Sequence, residues 1–172
     1  DRSTNAVVSD FDITNNMVLP FLDRHSWFSF LKPKNLERKA TVSISELGIV
    51  CQSELDLVTT LSGGNQQKVM IGRWLSEKSE VLLLDEPFQG VDIKARRDIG
   101  SQIRQSSKDR ATLVFVAELD EAVEIADKIV VLHEGSYSGI FENKENNIAD
   151  ILSLYSGKPS ETLAEARGSL NG

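Results

Sequence analysis

Cysteine is reduced to a single residue in this chain, and excess basic charge and long apolar runs are missing; each scarcity excludes a class of protein. The one cysteine, Cys51, excludes an internal disulfide and a zinc cluster, and it suits a reducing compartment. The chain has 19 Lys and Arg against 26 Asp and Glu, and the net charge of −7 argues against a nucleic-acid binder. No apolar run approaches the length of a membrane span, and no signal peptide opens the sequence. Any membrane association is therefore expected to come through a partner protein.

A loop for nucleotide phosphates is missing as well. The pattern G-x-x-x-x-G-K-[ST] cradles phosphates in many nucleotide-binding proteins. It does not occur here, because Gly63 and Gly64 are followed by Asn65 and Gln66, with no Gly-Lys pair at the required offset. The sequence therefore does not predict this type of phosphate cradle.

The chain does contain a helix start that suits an anion. Residues 61–68 read Leu-Ser-Gly-Gly-Asn-Gln-Gln-Lys. Apolar residues at helical spacing then predict a buried face: Val69, Met70, Ile71, Trp74 and Leu75. A helix beginning at Ser62 would present unpaired amides and the positive end of its dipole, and Ser62 can either cap it or donate its hydroxyl to a phosphate. For the Ser-Gly-Gly tripeptide alone, the alternative is an ordinary capped junction between loop and helix.

Two adjacent carboxylates follow a short apolar run. Residues 81–84 are Val-Leu-Leu-Leu, which is too short for a helix and predicts a fully buried strand. Asp85 and Glu86 come directly after it, and the ligand crevice of a parallel sheet lies at the carboxyl ends of its strands. Carboxylates placed there can hold Mg²⁺ and orient an attacking water in phosphoryl transfer.

These motifs and their spacing resemble the nucleotide-binding domain of ABC transporters. Residues 61–68 are similar to the signature motif of that family, 84–87 to its Walker B motif and 90–92 to its D-loop. The variant at 65–68 resembles more narrowly the C-terminal half of the double-length ATPases that power monosaccharide importers. The resemblance implies an α/β fold of the P-loop NTPase type, present as a fragment with a partial, mainly parallel sheet, helices and an α-helical signature subdomain.

The resemblance also implies how the chain is divided. Residues 1–79 would form the helical signature subdomain, and residues 80–157 would form part of a RecA-like core with Walker B, the D-loop and the switch strand. Residues 158–172 are expected to be a flexible tail. Because the family's phosphate-cradling Walker A loop precedes the signature, the chain is expected to be the back portion of one ATPase domain.

The resemblance implies a metal-binding role, a catalytic role and a contact role for three acidic residues. By resemblance, Asp85 helps coordinate Mg²⁺ and Glu86 polarises the hydrolytic water. Asp92 is predicted to cap the helix that follows it. The resemblance adds a contact between Asp92 and the opposing nucleotide-binding half.

The implied mechanism is ATP hydrolysis at shared sites, with ATP and Mg²⁺ as cofactors. Through Ser62, Gly63, Gly64 and Asn65, the chain would close over the γ-phosphate of ATP held by a second nucleotide-binding half, fused or separate. Closure would act on membrane permease subunits and move a simple sugar inward. The expected location is cytoplasmic, peripheral at the inner face of the cell membrane, without direct membrane insertion and without nucleic acid. Alone, the chain is expected to bind ATP poorly, to be inactive and to form a homodimer through an exposed sheet edge.

Two alternatives stay open. Ala117 stands where most ABC ATPases have a histidine that contacts the γ-phosphate, and a methyl group cannot form a hydrogen bond. This favours a non-catalytic half that donates its signature and docks a permease, although the intact Asp85-Glu86 pair opposes it. The second alternative is an ABC ATPase without a transporter, for which a basic surface and glutamine at position 65 would be expected.

Periodicity predicts further elements. The helix after Asp92 is predicted to bury a stripe of Ile93, the stem of Arg96, Ile99 and Ile103. Strands are predicted at 112–116 and 128–132, and helices at 119–126 and 148–155. A turn at Glu134 and Gly135 is expected to lead into 137–141 as a hairpin.

Overall fold

The computed structural model describes residues 7–21, 33–76, 78–137 and 139–156. Contacts divide the chain into two compact units, Asp1–Phe115 and Val116–Gly172. The division predicted after residue 79 therefore falls inside the first unit and stays a prediction. The tail predicted at 158–172 lies outside the described residues.

The first unit combines helices with a small parallel sheet. Within the described residues, its elements are α1 (Ile13–Val18), a 3₁₀ turn (Leu19–Phe21), α2 (Pro33–Leu47), a second 3₁₀ turn (Val58–Thr60), α3 (Gly63–Leu75), β1 (Val81–Asp85), α4 (Ile93–Ser106) and β2 (Ala111–Phe115). Aspartates cap two of the helices: Asp12 accepts from the Asn15 amide, and Asp92 accepts from the Ala95 amide. The predicted cap at Asp92 is confirmed.

Three helices of this unit share one apolar core. Side chains of α1, α2 and α3 meet there with residues from the connecting segments. Its buried members are Ile13, Met17, Ala40, Leu47, Ile49, Val58, Leu61 and Val69. The core therefore holds the beginning of α3, where the glycines lie, against two other helices.

The sheet consists of β1 and β2, which pair in parallel from Val81 opposite Ala111 to Asp85 opposite Phe115. The prediction of a fully buried β1 is wrong. Leu82 and Leu84 are buried, whereas Leu83 is 64% exposed. Successive side chains of a strand point to opposite faces, and only one face of this two-stranded sheet is covered.

Two predicted core positions are also wrong. Trp74 is 44% exposed and touches the buried Phe21 edge to face, with ring centroids 5.3 Å apart. Ile93 is 65% exposed because it opens the first turn of α4, ahead of the packed stripe. Ile99 and Ile103 of the same helix are buried as predicted.

The second unit contains short antiparallel pairings between two helices. In the part of this unit that the structure describes, the elements are α5 (Leu119–Ile125), β3 (Lys128–Ile129), β4 (Leu132–His133), β5 (Ser136–Tyr137), β6 (Phe141–Glu142) and α6 (Glu145–Tyr155). β3 pairs with β6, and β4 pairs with β5. The predicted turn between β4 and β5 is confirmed: Glu134 and Gly135 both have positive φ, as tight hairpins require. The two strands predicted at 128–132 and 137–141 are each broken into shorter pieces.

In the described part of the chain, no helix combines the length and the apolar character that crossing a membrane requires.

Candidate functional site

The first turn of α3 is open to solvent and lacks a side-chain cap. Ser62 has extended backbone at the N-cap, and its hydroxyl makes no capping hydrogen bond. The first amide to find an intrahelical acceptor is that of Gln66, which donates to the Ser62 carbonyl at 2.9 Å. No acidic side chain lies in the first turn. The amides that open α3 therefore keep the donors and the positive dipole end that an anion requires.

Asn65 orients the Ser62 hydroxyl. The Val50 amide donates to Asn65 Oδ1 at 3.0 Å, and Asn65 Nδ2 donates to Ser62 Oγ at 3.0 Å. Because an amide N–H needs an acceptor, the contact with Val50 decides which end of the Asn65 side chain is oxygen. Ser62 Oγ thus accepts from Asn65 and keeps its own proton for a second acceptor.

The two glycines of this turn differ in their surroundings. A Cβ added at Gly63 would meet nothing within 4 Å. A Cβ added at Gly64 would lie 3.2 Å from Ala95 Cβ in α4. Gly63 thus leaves open space in front of the helix terminus, whereas Gly64 lets two helices approach each other closely.

The predicted acidic pair lies at the carboxyl end of β1, as expected. Asp85 ends the strand and is exposed, and Glu86 is half-buried. Glu86 has φ 47°, in the left-handed region, which costs about 1 kcal/mol for a residue with a side chain. Its amide donates to the Phe115 carbonyl at 2.9 Å, and its carbonyl accepts from the Gln89 amide at 3.2 Å. The surrounding bonds hold the Glu86 backbone in an unfavourable conformation, and such residues concentrate at functional sites.

Two polar residues of α3 that the sequence analysis named only as part of the 65–68 motif, Gln67 and Lys68, are buried and make contacts in this region. Gln67 Nε2 donates to the Pro87 carbonyl at 2.8 Å, directly after Glu86. Lys68 Nζ lies 2.7 Å from Asp98 Oδ2 of α4 and 3.0 Å from the Gly48 carbonyl. The signal available in the sequence was their position: polar side chains at helical positions beside the predicted apolar face.

Asp92 and Ala117 occupy different units. Asp92 is exposed and accepts from the Ala95 amide at 2.8 Å, so its contact with an opposing half stays a prediction. Ala117 is exposed near the start of the second unit, and its carbonyl accepts from the Tyr155 hydroxyl at 3.3 Å.

Among the described residues of the first unit, Cys51 and Arg73 have shifted pKa values. Burial raises the pKa of the Cys51 thiol, and the nearby carboxylates of Asp56 and Glu54 raise it further. Cys51 is therefore a poor nucleophile. Burial lowers the pKa of Arg73, whose Nε and Nη2 have no hydrogen-bond partner within the described segments. The same segments contain no group of three or more His, Cys, Asp or Glu arranged to hold a metal.

Solved structures share this fold. One is the dimeric post-hydrolysis state of the ATP-binding cassette MJ0796 bound to ADP and Pi, with a TM-score of 0.68 at 18% identity. The match covers 80% of this chain and 59% of that chain. Another dimeric structure of MJ0796, a bacterial ABC transporter cassette, matches with a TM-score of 0.66. The predicted ABC ATPase fold is therefore confirmed.

The curated relatives are named as import ATP-binding proteins. The chain is 36% identical over 159 residues to a ribose import ATP-binding protein, RbsA, of Bacillus cereus, covering 91% of this chain and 32% of the relative. It is 35% identical over 156 residues to a galactose/methyl galactoside import ATP-binding protein, MglA, of Fusobacterium nucleatum, covering 90% and 31%. The chain thus spans about a third of the length of the curated relatives it matches. The model of the ABC transporter family matches residues 4–89, half of the chain, and with the shared fold this shows that the chain belongs to the ABC transporter family.

Proposed function

We propose that the chain is part of the ATPase of an ABC importer and couples ATP hydrolysis to the uptake of a simple sugar. The observation that carries the proposal is Glu86, a half-buried carboxylate held with left-handed backbone at the carboxyl end of β1. A carboxylate in that place is suited to orient the water that attacks a phosphoryl group. The names of the curated relatives support a sugar as the transported substrate.

Asp85 is the residue proposed to hold Mg²⁺. It fits the ion chemically, since Mg²⁺ prefers oxygen ligands and is usually held by one or two carboxylates together with substrate phosphates. Asp85 ends β1 and is exposed, so its carboxylate is accessible to a bound nucleotide. When bound, Mg²⁺ neutralises negative charge on the phosphates of ATP.

The first turn of α3 is proposed to serve a second ATP, held by the opposing nucleotide-binding half. Ser62 would donate its hydroxyl to the γ-phosphate, because Asn65 already occupies the acceptor side of that oxygen. The amides of Gly63 and Gly64 would donate to the same group. In this proposal Asn65 acts on the phosphate through Ser62.

The proposed assembly contains two such halves, fused or separate, and membrane permease subunits. It places the chain in the cytoplasm, peripheral at the inner face of the cell membrane. By itself the chain is proposed to be inactive, because each site needs groups from elsewhere in the assembly.

Substituting Glu86→Gln in the assembled transporter tests the catalytic role. The amide keeps the shape of the side chain but cannot act as a base, so ATP turnover at this site is expected to fall by about 100-fold. ATP turnover and sugar uptake would be measured in proteoliposomes. Glu80→Gln is the matched control, because Glu80 is an exposed glutamate just before the opposite end of β1.

A second candidate function is favoured by Ala117. Its exposed methyl group cannot contact a phosphate by hydrogen bonding, which suits a half that only donates its signature to the partner's ATP. Unchanged turnover in the Glu86→Gln transporter, together with loss of turnover in Ser62→Ala, would establish this function in place of the catalytic one.

A further inference from the structure

One buried hydrogen bond joins α3 to the turn that carries Glu86, the proposed catalytic carboxylate. Gln67 lies in α3, is 5% exposed, and donates from Nε2 to the Pro87 carbonyl at 2.8 Å. Given the proposed function, we propose that Gln67 is a positioning residue for Glu86. It thereby links the ATP site served by Ser62 and Gly63 to the ATP site served by Glu86.

Three consecutive residues, 86 to 88, each hold this turn in place, and the Pro87 carbonyl is the middle contact. The Glu86 amide is bonded to the Phe115 carbonyl, Gln67 holds the carbonyl of Pro87, and the Phe88 side chain is 3% exposed. The proline ring restricts backbone rotation between the Glu86 amide and the Pro87 carbonyl. Releasing the Pro87 carbonyl would therefore let Glu86 relax from its left-handed backbone conformation and move its carboxylate.

Packing alone does not account for an amide at this position. Gln67 Oε1 is buried and has no hydrogen-bond partner among the described residues. A buried acceptor left unpaired is destabilising, and an apolar side chain of the same length would avoid that loss. What the amide adds is the donor that holds Pro87.

The helix itself connects the two sites. Gln67 follows Gly63 by four residues in α3, so both lie on the same face, one turn apart. The next residue, Lys68, binds Asp98 of α4 at 2.7 Å. A shift of α3 on binding phosphate at its first turn would therefore be transmitted to the Pro87 carbonyl through one rigid element, which provides a physical route for coupling two sites.

Turnover of the assembled transporter tests the proposal through a double-mutant cycle. Gln67→Met keeps the length of the side chain and removes the donor. We expect kcat to fall by about tenfold with KM for ATP unchanged, because the carboxylate is displaced while the nucleotide contacts remain. In the Glu86→Gln background the same substitution should cause no further loss. Gln102→Met is the matched control: Gln102 also donates to a backbone carbonyl, that of Glu46 at 2.7 Å, and should leave kcat unchanged.

The outcomes separate this inference from the proposed function. An unaffected kcat in Gln67→Met, or an equal fold loss with and without Glu86→Gln, overturns the role of Gln67 while the catalytic role of Glu86 stands. If Glu86→Gln itself leaves turnover unchanged, it is the proposed catalytic function that fails.

Hydrogen exchange of the chain alone tests the same contact without ATP. The amides of Glu86 and Gln89 are bonded within the turn, at 2.9 and 3.2 Å. Gln67→Met is expected to accelerate their exchange by about tenfold relative to the wild type, while Gln102→Met should not. Equal protection of both amides in all three proteins would contradict the proposal.

Discussion

Gly63 and Gly64 are adjacent, yet a side chain added at each would meet different surroundings. The space in front of Gly63 is empty to 4 Å, and the Cβ of a residue at position 64 would approach Ala95 to 3.2 Å. The first glycine is therefore suited to a ligand and the second to contact between α3 and α4. Stability and function should respond differently to alanine at the two positions.

Gly63→Ala is expected to leave the stability of the chain unchanged or raise it by up to about 1 kcal/mol, because alanine favours helix and meets no neighbour. In the proposed transporter it should nonetheless impair ATP turnover, because the methyl group would lie where the phosphate is proposed to bind. Gly64→Ala should be less stabilising than Gly63→Ala, because the added methyl group would lie 3.2 Å from Ala95 Cβ and this tight contact opposes the same gain in helix propensity. Urea denaturation and ATPase assays measure the two effects. Normal turnover in Gly63→Ala would argue against phosphate binding at this turn.

At the scale of elements, α3 makes side-chain contacts with several other parts of the first unit. Four consecutive polar side chains at its start make four different contacts. Asn65 binds Ser62, Gln66 donates to the Leu61 carbonyl, Gln67 donates to Pro87, and Lys68 binds Asp98. One turn of helix therefore forms hydrogen bonds or ion pairs with the start of α3, with the turn that follows Glu86 and with α4.

The ion pair between α3 and α4 should respond asymmetrically to substitution. The Lys68 side chain is 5% exposed and that of Asp98 is 36% exposed. Asp98→Ala leaves a buried ammonium with only the Gly48 carbonyl, and should cost about 3 kcal/mol. Lys68→Met leaves a carboxylate that water can reach, and should cost about 1 kcal/mol. Urea denaturation of both variants measures the two losses of stability. Equal losses would contradict the prediction that the buried Lys68 is the more sensitive of the two to losing its partner.

At the scale of the whole molecule, one face of the small sheet is apolar and exposed. Val81, Leu83, Leu113 and Phe115 are between 42% and 64% exposed. A parallel sheet normally has both faces covered. Exposed apolar area of this kind promotes association.

The chain in isolation is therefore expected to self-associate with rising concentration, as a homodimer or larger species. Replacing Leu83 and Leu113 together by lysine should shift the chain toward monomer, since both side chains point away from the covered face. Light scattering coupled to size-exclusion chromatography measures the masses. Lysine at the exposed Ile93 of α4 serves as a control away from the sheet. A strictly monomeric wild type would refute this prediction.

Much of the site was predictable from short patterns. The start of α3 after Ser62, the cap at Asp92 and the acids at the end of β1 each depend on a few adjacent residues. The partners of Trp74 and the exposed face of β1 were not predictable, because periodicity gives the apolar side of an element but not whether another element covers it.

The amino-acid sequence by itself determined the order of the motifs and hence the family, because each motif acts through backbone geometry within one turn or one strand end. Only the tertiary structure decided which groups the polar side chains of α3 contact. The partners of Asn65, Gln67 and Lys68 lie 15, 20 and 30 residues away. Such contacts form only after the chain has folded, since hydrogen bonds between distant residues depend on the packing of whole elements.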